Sequence, residues 1–184
     1  MFVLLVNAGV DSYIEKARNK IIQIYGDPDA GRTTVFFQLI GNLTSKDHIC
    51  VYVTPQLSSF RYEYFKKFSH DYNRCVIMEA STAADLLKMI PTIADYAEYI
   101  FIDDFLRYII RRKKSEIRSV MSMLSSQAFK HGICIVIGNE MRYNLSQSLT
   151  LPAYTDVLRR YVSNSIVVEK NKDQLDIVYD AAEA

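Results

Sequence analysis

The sequence predicts an α/β fold, a mainly parallel sheet flanked by helices and closed by a C-terminal β-hairpin. Short apolar runs recur at 21–25, 48–54, 75–78, 99–103 and 132–138, separated by stretches with helical patterning. That alternation argues for right-handed βαβ units and a sheet covered on both faces. Runs 164–169 and 174–179 face each other across 170–173 and read as an antiparallel hairpin.

In chain order, residues 2–6 are apolar and fit either an edge strand or a simple apolar anchor, and 11–18 read as a short helix. Residues 21–25 are the first confident strand. The stretch 33–42 carries Val35, Phe36, Leu39 and Ile40 at helical spacing and ends at Gly41-Asn42. A buried strand is expected over 48–54, then a helix over 59–69 with an aromatic stripe of Phe60, Tyr64, Phe65 and Phe68, expected in the core or at a subunit contact. Strand 75–78 precedes Ser81-Thr82 and Asp85, a capping-box pattern that opens a helix to about 97, bent or restarted at Pro91. Strand 99–103, an amphipathic helix over 115–131 and strand 132–138 follow. Residues 139–153 are polar and show no convincing period.

Composition bounds the rest. The 184 residues suit one domain, 1–184, with 49% hydrophobic and 23% charged residues. A net charge of +1 gives no bulk electrostatic argument for nucleic acid, so any such argument is local. Cys50, Cys75 and Cys134 lie far apart without metal-ligand spacing, which suits buried reduced thiols and a cytoplasmic protein. The run 2–6 is too short for a membrane span and lacks the flanks of a signal peptide.

The chemistry concentrates at the end of the first confident strand. Gly26, four residues, Gly31, Arg32, Thr33 and Thr34 follow the spacing of a phosphate-binding loop, in the required strand–turn–helix context. In such loops backbone N–H groups and the helix N-terminus cradle phosphate, a cation contacts the β and γ phosphates, and the first hydroxyl ligates magnesium. Two positions depart from the pattern. Arg32 replaces the usual Lys, and Asp29 stands where a φ-permissive glycine is common. Strand 99–103 ends in Asp103, the place of a magnesium-holding acid. The same pattern also fits a buried strand ended by a solvent-facing Asp.

In this order and spacing the segments resemble the RecA/RadA recombinase family, in particular the ATPase core of archaeal RadA paralogues. The matching stretches are NAGVDSYI (7–14), IIQIYGDPDAGRTT (21–34), VYVTPQLSSFRYEYF (51–65), YIFIDDF (99–105), RRKKSEIRSVMSMLSSQAFKHGICIVIGNE (111–140) and LRRYVSNSIVVEK (158–170). The resemblance implies a RecA-like P-loop core. It implies ATP with magnesium as the ligand, held by Gly26, Gly31, Arg32, Thr33 and Thr34, with Thr33 and Asp103 on the metal. It places Gln56 where the family has the glutamate that polarises the attacking water. A glutamine can hydrogen-bond a water but cannot accept its proton. Arg32 keeps the charge but not the compact shape of an ammonium. Asp27 and Asp29 add negative charge near the phosphates, although Asp29 also fits a solvent-facing or Arg32-paired role. Gly138-Asn139-Glu140 stands at the family's Thr-Asn-Gln, making Asn139 the candidate γ-phosphate sensor; a polar strand cap is the plain alternative.

Two stretches fall where the family faces DNA. One is basic, with Arg111, Arg112, Lys113 and Lys114 flanked by Arg107 and Arg118; the other contains Arg142 and Tyr143. A basic cluster beside an aromatic suits single-stranded backbone contact and stacking, and a solvated helix start accounts for the same charges. The expectation is an accessory protein of homologous recombination and DNA repair. It would bind a RecA/RadA-type recombinase or another paralogue, and single-stranded DNA, with no membrane role and weak or no ATP hydrolysis. The alternative is an active small P-loop ATPase of the RecA superfamily, KaiC-like or recombinase-like.

Overall fold

A computed structural model describes residues 8–68, 72–144, 149–171 and 174–180. The 2–6 run lies outside them. The chain runs α1 (Ala8–Lys16), β1 (Lys20–Gly26), α2 (Arg32–Thr44), β2 (Cys50–Thr54), α3 (Tyr62–Phe65), β3 (Cys75–Glu79), α4 (Ala83–Ala94) and β4 (Tyr99–Ile102). It continues through α5 (Leu106–Ile109), α6 (Lys114–His131), β5 (Cys134–Asn144), β6 (Leu149–Pro152), α7 (Thr155–Leu158), β7 (Val162–Asn171) and β8 (Gln174–Asp180).

The fold is α/β, with a six-stranded all-parallel sheet flanked by helices. The strand order is β3-β2-β4-β5-β1-β7-β8, and only β8 on this path runs antiparallel, to β7. The C-terminal hairpin is therefore present as expected. Connections from β1 through β2 to β3 step toward one edge, and those from β3 through β4 and β5 to β7 step back. Right-handed crossovers send the two sets over opposite faces. The core divides accordingly. Val10, Ile14, Val35, Phe36, Leu39 and Phe65 cover one face, whereas Leu86, Ile90, Ile117, Leu124 and Val157 cover the other.

Side-chain alternation assigns each strand residue to a face. Along β4, Tyr99 and Phe101 meet the α2 layer while Ile100 and Ile102 meet the α4–α6 layer. Along β5, Cys134 and Val136 face α2, and Ile135 and Ile137 face away. The same alternation decides the orientation of the residues that follow these strands.

Three expectations change. The helix over 59–69 shrinks to the single turn of α3, preceded by a 3₁₀ turn at Leu57–Ser59. Phe60, Tyr64 and Phe65 instead form an aromatic cluster with Phe37 and Tyr52, at ring separations of 5.1–6.2 Å. Packing fixes these rings without a helical period, and aromatic residues have little intrinsic helix preference to oppose it. Pro91 does not restart α4, which runs through it and ends three residues later at Ala94. The Thr82–Asp85 capping box is formed in both directions. Residues 139–153, read as irregular, contain the end of β5 and all of β6, paired antiparallel from Met141↔Pro152 to Asn144↔Leu149. Each strand contributes only four paired residues, Met141–Asn144 and Leu149–Pro152, too short an alternation to stand out within the polar stretch.

All three cysteines are free. Cys50 and Cys134 are buried, while Cys75 on the edge strand β3 is partly covered; burial pushes the Cys75 and Cys134 thiols up to about 12. Among the described residues no helix is long and apolar enough to cross a membrane.

Candidate functional site

The carboxyl ends of β1, β2, β4 and β5 open into a cleft of about 450 Å³. This is where parallel α/β sheets bind ligands, because neighbouring connections diverge to opposite faces there. The loop from β1 to α2 forms one wall. Asp29 (φ 62) and Gly31 (φ 98) both take left-handed conformations, so the aspartate occupies the glycine-type backbone geometry that its position demands. Ala30 N–H closes the turn onto Asp27 O at 3.1 Å, and α2 starts with Val35 N–H on Gly31 O at 3.0 Å. The first turn of α2 carries no acidic residue of its own.

Gly26 has a different reason to be glycine. A Cβ there would lie 2.3 Å from the carbonyl oxygen of Val168 on β7. It is needed for the approach of two adjacent backbones.

Thr33 Oγ1 donates to Asp103 Oδ2 at 2.8 Å, joining residues seventy positions apart. Alternation along β4 puts Asp103 on the α2 face, and the first turn of α2 puts Thr33 opposite it. The buried Tyr52 phenol donates to the same Asp103 oxygen, and Asp104 N–H donates to Oδ1 at 2.9 Å. Burial and the adjacent Asp103 carboxylate push the Tyr52 phenol far above its ordinary range, so it remains a donor. Gly138 supplies room, since a Cβ on it would stand 3.2 Å from Asp103 Oδ1 and from the Phe36 ring. Burial raises Asp104 above the usual aspartate range; Arg107 at 3.0 Å opposes the rise, and Asp103 and Glu140 add to it.

Arg32 turns inward. Nη1 donates to Gly26 O at 3.1 Å and Asn139 O at 2.5 Å, and Nη2 pairs with Glu140 Oε1 at 3.3 Å. Arg32 at the start of α2 and Glu140 on β5 therefore meet as one ion pair. Alternation along β5 places Glu140 in the cleft and turns the preceding Asn139 to the other face. The fully buried Asn139 amide donates to Ala153 O at 2.9 Å and accepts from Glu140 N–H at 2.9 Å. It ties the end of β5 to the chain just after β6 and does not line the cleft.

Gln56 lines the cleft beyond β2 and is exposed, its amide donating to Ser58 Oγ at 2.8 Å. Thr34 shares a 3.3 Å contact with the Tyr64 hydroxyl. The cleft therefore gathers Gly31, Arg32, Thr33, Thr34, Gln56 and Asp103, with Asp29, Arg61, Asp104, Arg107 and Glu140. Four carboxylates face three guanidinium groups.

The basic candidates lie outside the cleft lining, Arg111 to Lys114 around the start of α6 and Arg142 on β5. Arg112 binds Tyr108 O at 2.9 Å and pairs with Glu116 at 3.2 Å, and Lys114 pairs with Asp156 at 2.5 Å. Arg111 (φ 63), Lys113 and Arg142 are exposed and form no ion pair among the described residues. The side chain of Tyr143 lies outside the described residues.

Not anticipated from the sequence were the Tyr52 phenol on Asp103, the room Gly138 leaves beside it and the pairing of Glu140 with Arg32. The signals available were a tyrosine within an apolar strand and a glycine at a strand end facing the acid. The Arg32–Glu140 partnership had no signal, because pairing across strands depends on register. No protein-family model and no curated protein matches the chain.

Proposed function

We propose that this chain is a RecA-like phosphate-loop protein that binds a magnesium nucleotide and hydrolyses it weakly or not at all. It acts by binding, as an accessory of homologous recombination and repair. The observation that carries the nucleotide reading is the Thr33–Asp103 hydrogen bond, set beside a loop with left-handed residues at 29 and 31. A hydroxyl and a carboxylate in contact form a hard-oxygen pair suited to magnesium, which also takes phosphate oxygens and water. The cleft volume and the acid-free start of α2 suit a phosphorylated ligand. Thr33 and Asp103 would hold the metal, and the α2 N-terminus would hold phosphate. Bound magnesium neutralises phosphate charge.

The lack of fast hydrolysis rests on Gln56. At the mouth of the cleft it orients a water but takes no proton from it. Arg32, spent on two carbonyls and Glu140, is poorly placed to follow developing charge on a transferred phosphate.

The recombinase or paralogue partner and the single-stranded DNA come from the resemblance of the ordered segments. The exposed Arg111, Lys113 and Arg142 support the DNA part. Arg112 and Lys114 are partly neutralised by Glu116 and Asp156.

The test is nucleotide-dependent thermal stabilisation. At a ligand concentration of 100 Kd the gain is about 2.7 kcal/mol, a Tm rise of about 5–11 °C for a chain of this size. Thr33→Val is expected to abolish the magnesium-dependent part. An absent shift for every nucleotide, with or without magnesium, refutes the reading.

A further inference from the structure

We propose that the cleft is a nucleoside-diphosphate site, with the Glu140 carboxylate standing against the place of a third phosphate. The inference rests on the phosphate-loop reading above and narrows its ligand. The residue after Gly31 is the one whose cation meets the β and γ phosphates in such loops. Here that cation is Arg32, with its side chain only 14% exposed, held by Gly26 O, Asn139 O and Glu140. A γ-phosphate that reaches for Arg32 meets Glu140 in the same contact. It must also displace an ion pair whose carboxylate stays in the cleft, because β5 fixes Glu140 on the α2 face.

Among the remaining described cleft cations only Arg61 is free to offset this. Arg107 is paired with Asp104 at 3.0 Å, and Asp104 lines the cleft beside Asp103. Arg61 is the one cleft guanidinium without an ion pair among the described residues. Besides Arg32, a β-phosphate meets donors that bring no carboxylate of their own element with them: the Gly31 turn and an α2 first turn free of acids. The site thus accommodates two phosphates and opposes a third.

The experiment titrates the full-length chain with fluorescent N-methylanthraniloyl ADP and ATP in magnesium. ADP is expected to bind about tenfold tighter than ATP, the effect of one partly screened like-charge contact. Glu140→Gln keeps the size and removes the charge. It is expected to bring ATP to within about threefold of ADP, because the opposing charge is gone. Competition by pyrophosphate and tripolyphosphate against labelled ADP repeats the comparison on the unaltered protein and decides the matter if the variant does not fold. ATP binding as tightly as ADP overturns the diphosphate preference and leaves the phosphate-loop reading standing. A preference that Glu140→Gln does not change overturns the role of Glu140. Binding of neither nucleotide overturns both readings.

Discussion

Gly26→Ala separates two reasons for a glycine at the head of a phosphate loop. In this chain the added Cβ would lie 2.3 Å from Val168 O, with further contacts at 3.2 Å to Ala30 Cβ and 3.3 Å to Val168 C. Real Cβ contacts stay beyond about 3 Å, so β1 and β7 must separate by about 0.7 Å. Both partners are backbone within parallel pairing, where Gly26 stands opposite Val168, and neither can rotate away. Overpacking of this kind costs about 1–3 kcal/mol. For a chain of 184 residues that is a Tm loss of about 2–12 °C. Calorimetric melting of the ligand-free variant measures it. An unchanged Tm would refute the argument, and an unchanged Tm with lost nucleotide binding would reassign Gly26 to phosphate approach.

Asn139→Ala leaves Ala153 O and Glu140 N–H without their side-chain partner in a buried site, and is expected to cost about 1–3 kcal/mol. Faster amide exchange in β6 would accompany it; unchanged exchange and stability would deny the tie between β5 and the chain beyond β6. Gln56→Glu restores a carboxylate at the cleft mouth, and ATP turnover is expected to rise at least about tenfold if a missing base limits it. Equal phosphate release by both proteins would move the defect to Arg32 and Glu140. At the opposite end of the sheet, burial pushes Glu98 upward, but hydrogen bonds from Arg18, Ile49 N–H and His48 outweigh it and hold its carboxyl below 4.5. Its folded-state value is lowered, so its contribution is present above 4.5 and is lost as pH falls through that folded value. Glu98→Gln should therefore lower stability at pH 7 by about 1 kcal/mol, discounted for partial exposure, and the gap from wild type should close in acid. A gap that does not narrow as pH falls below 4.5 would assign the effect to shape.

The parallel sheet was legible because each buried strand is a short apolar run and each covering helix carries its own period. Thr82 and Asp85 announced α4 through local chemistry that needs no tertiary context. The aromatic run at 60–68 misled: its spacing of four is helical, but packing on Phe37 and Tyr52 fixes the rings while the chain forms only one helical turn. The β5–β6 hairpin was hidden because only four residues pair on each side, too few for their alternation to stand out in a polar stretch. The loop residues and Asp103 could be found by spacing. The face on which each strand-end side chain falls could not, and one step along β5 separates Glu140 in the cleft from Asn139 behind it.

On the proposed reading, a magnesium nucleotide is held at Thr33 and Asp103 without rapid turnover. Calorimetric titration of the protein with Mg-ATP, followed by assay of ADP in the same sample, tests it most directly. Saturable heat with ADP no higher than in a protein-free control is the predicted result. Heat accompanied by steady ADP formation contradicts the lack of turnover, and the absence of any binding heat contradicts the site itself.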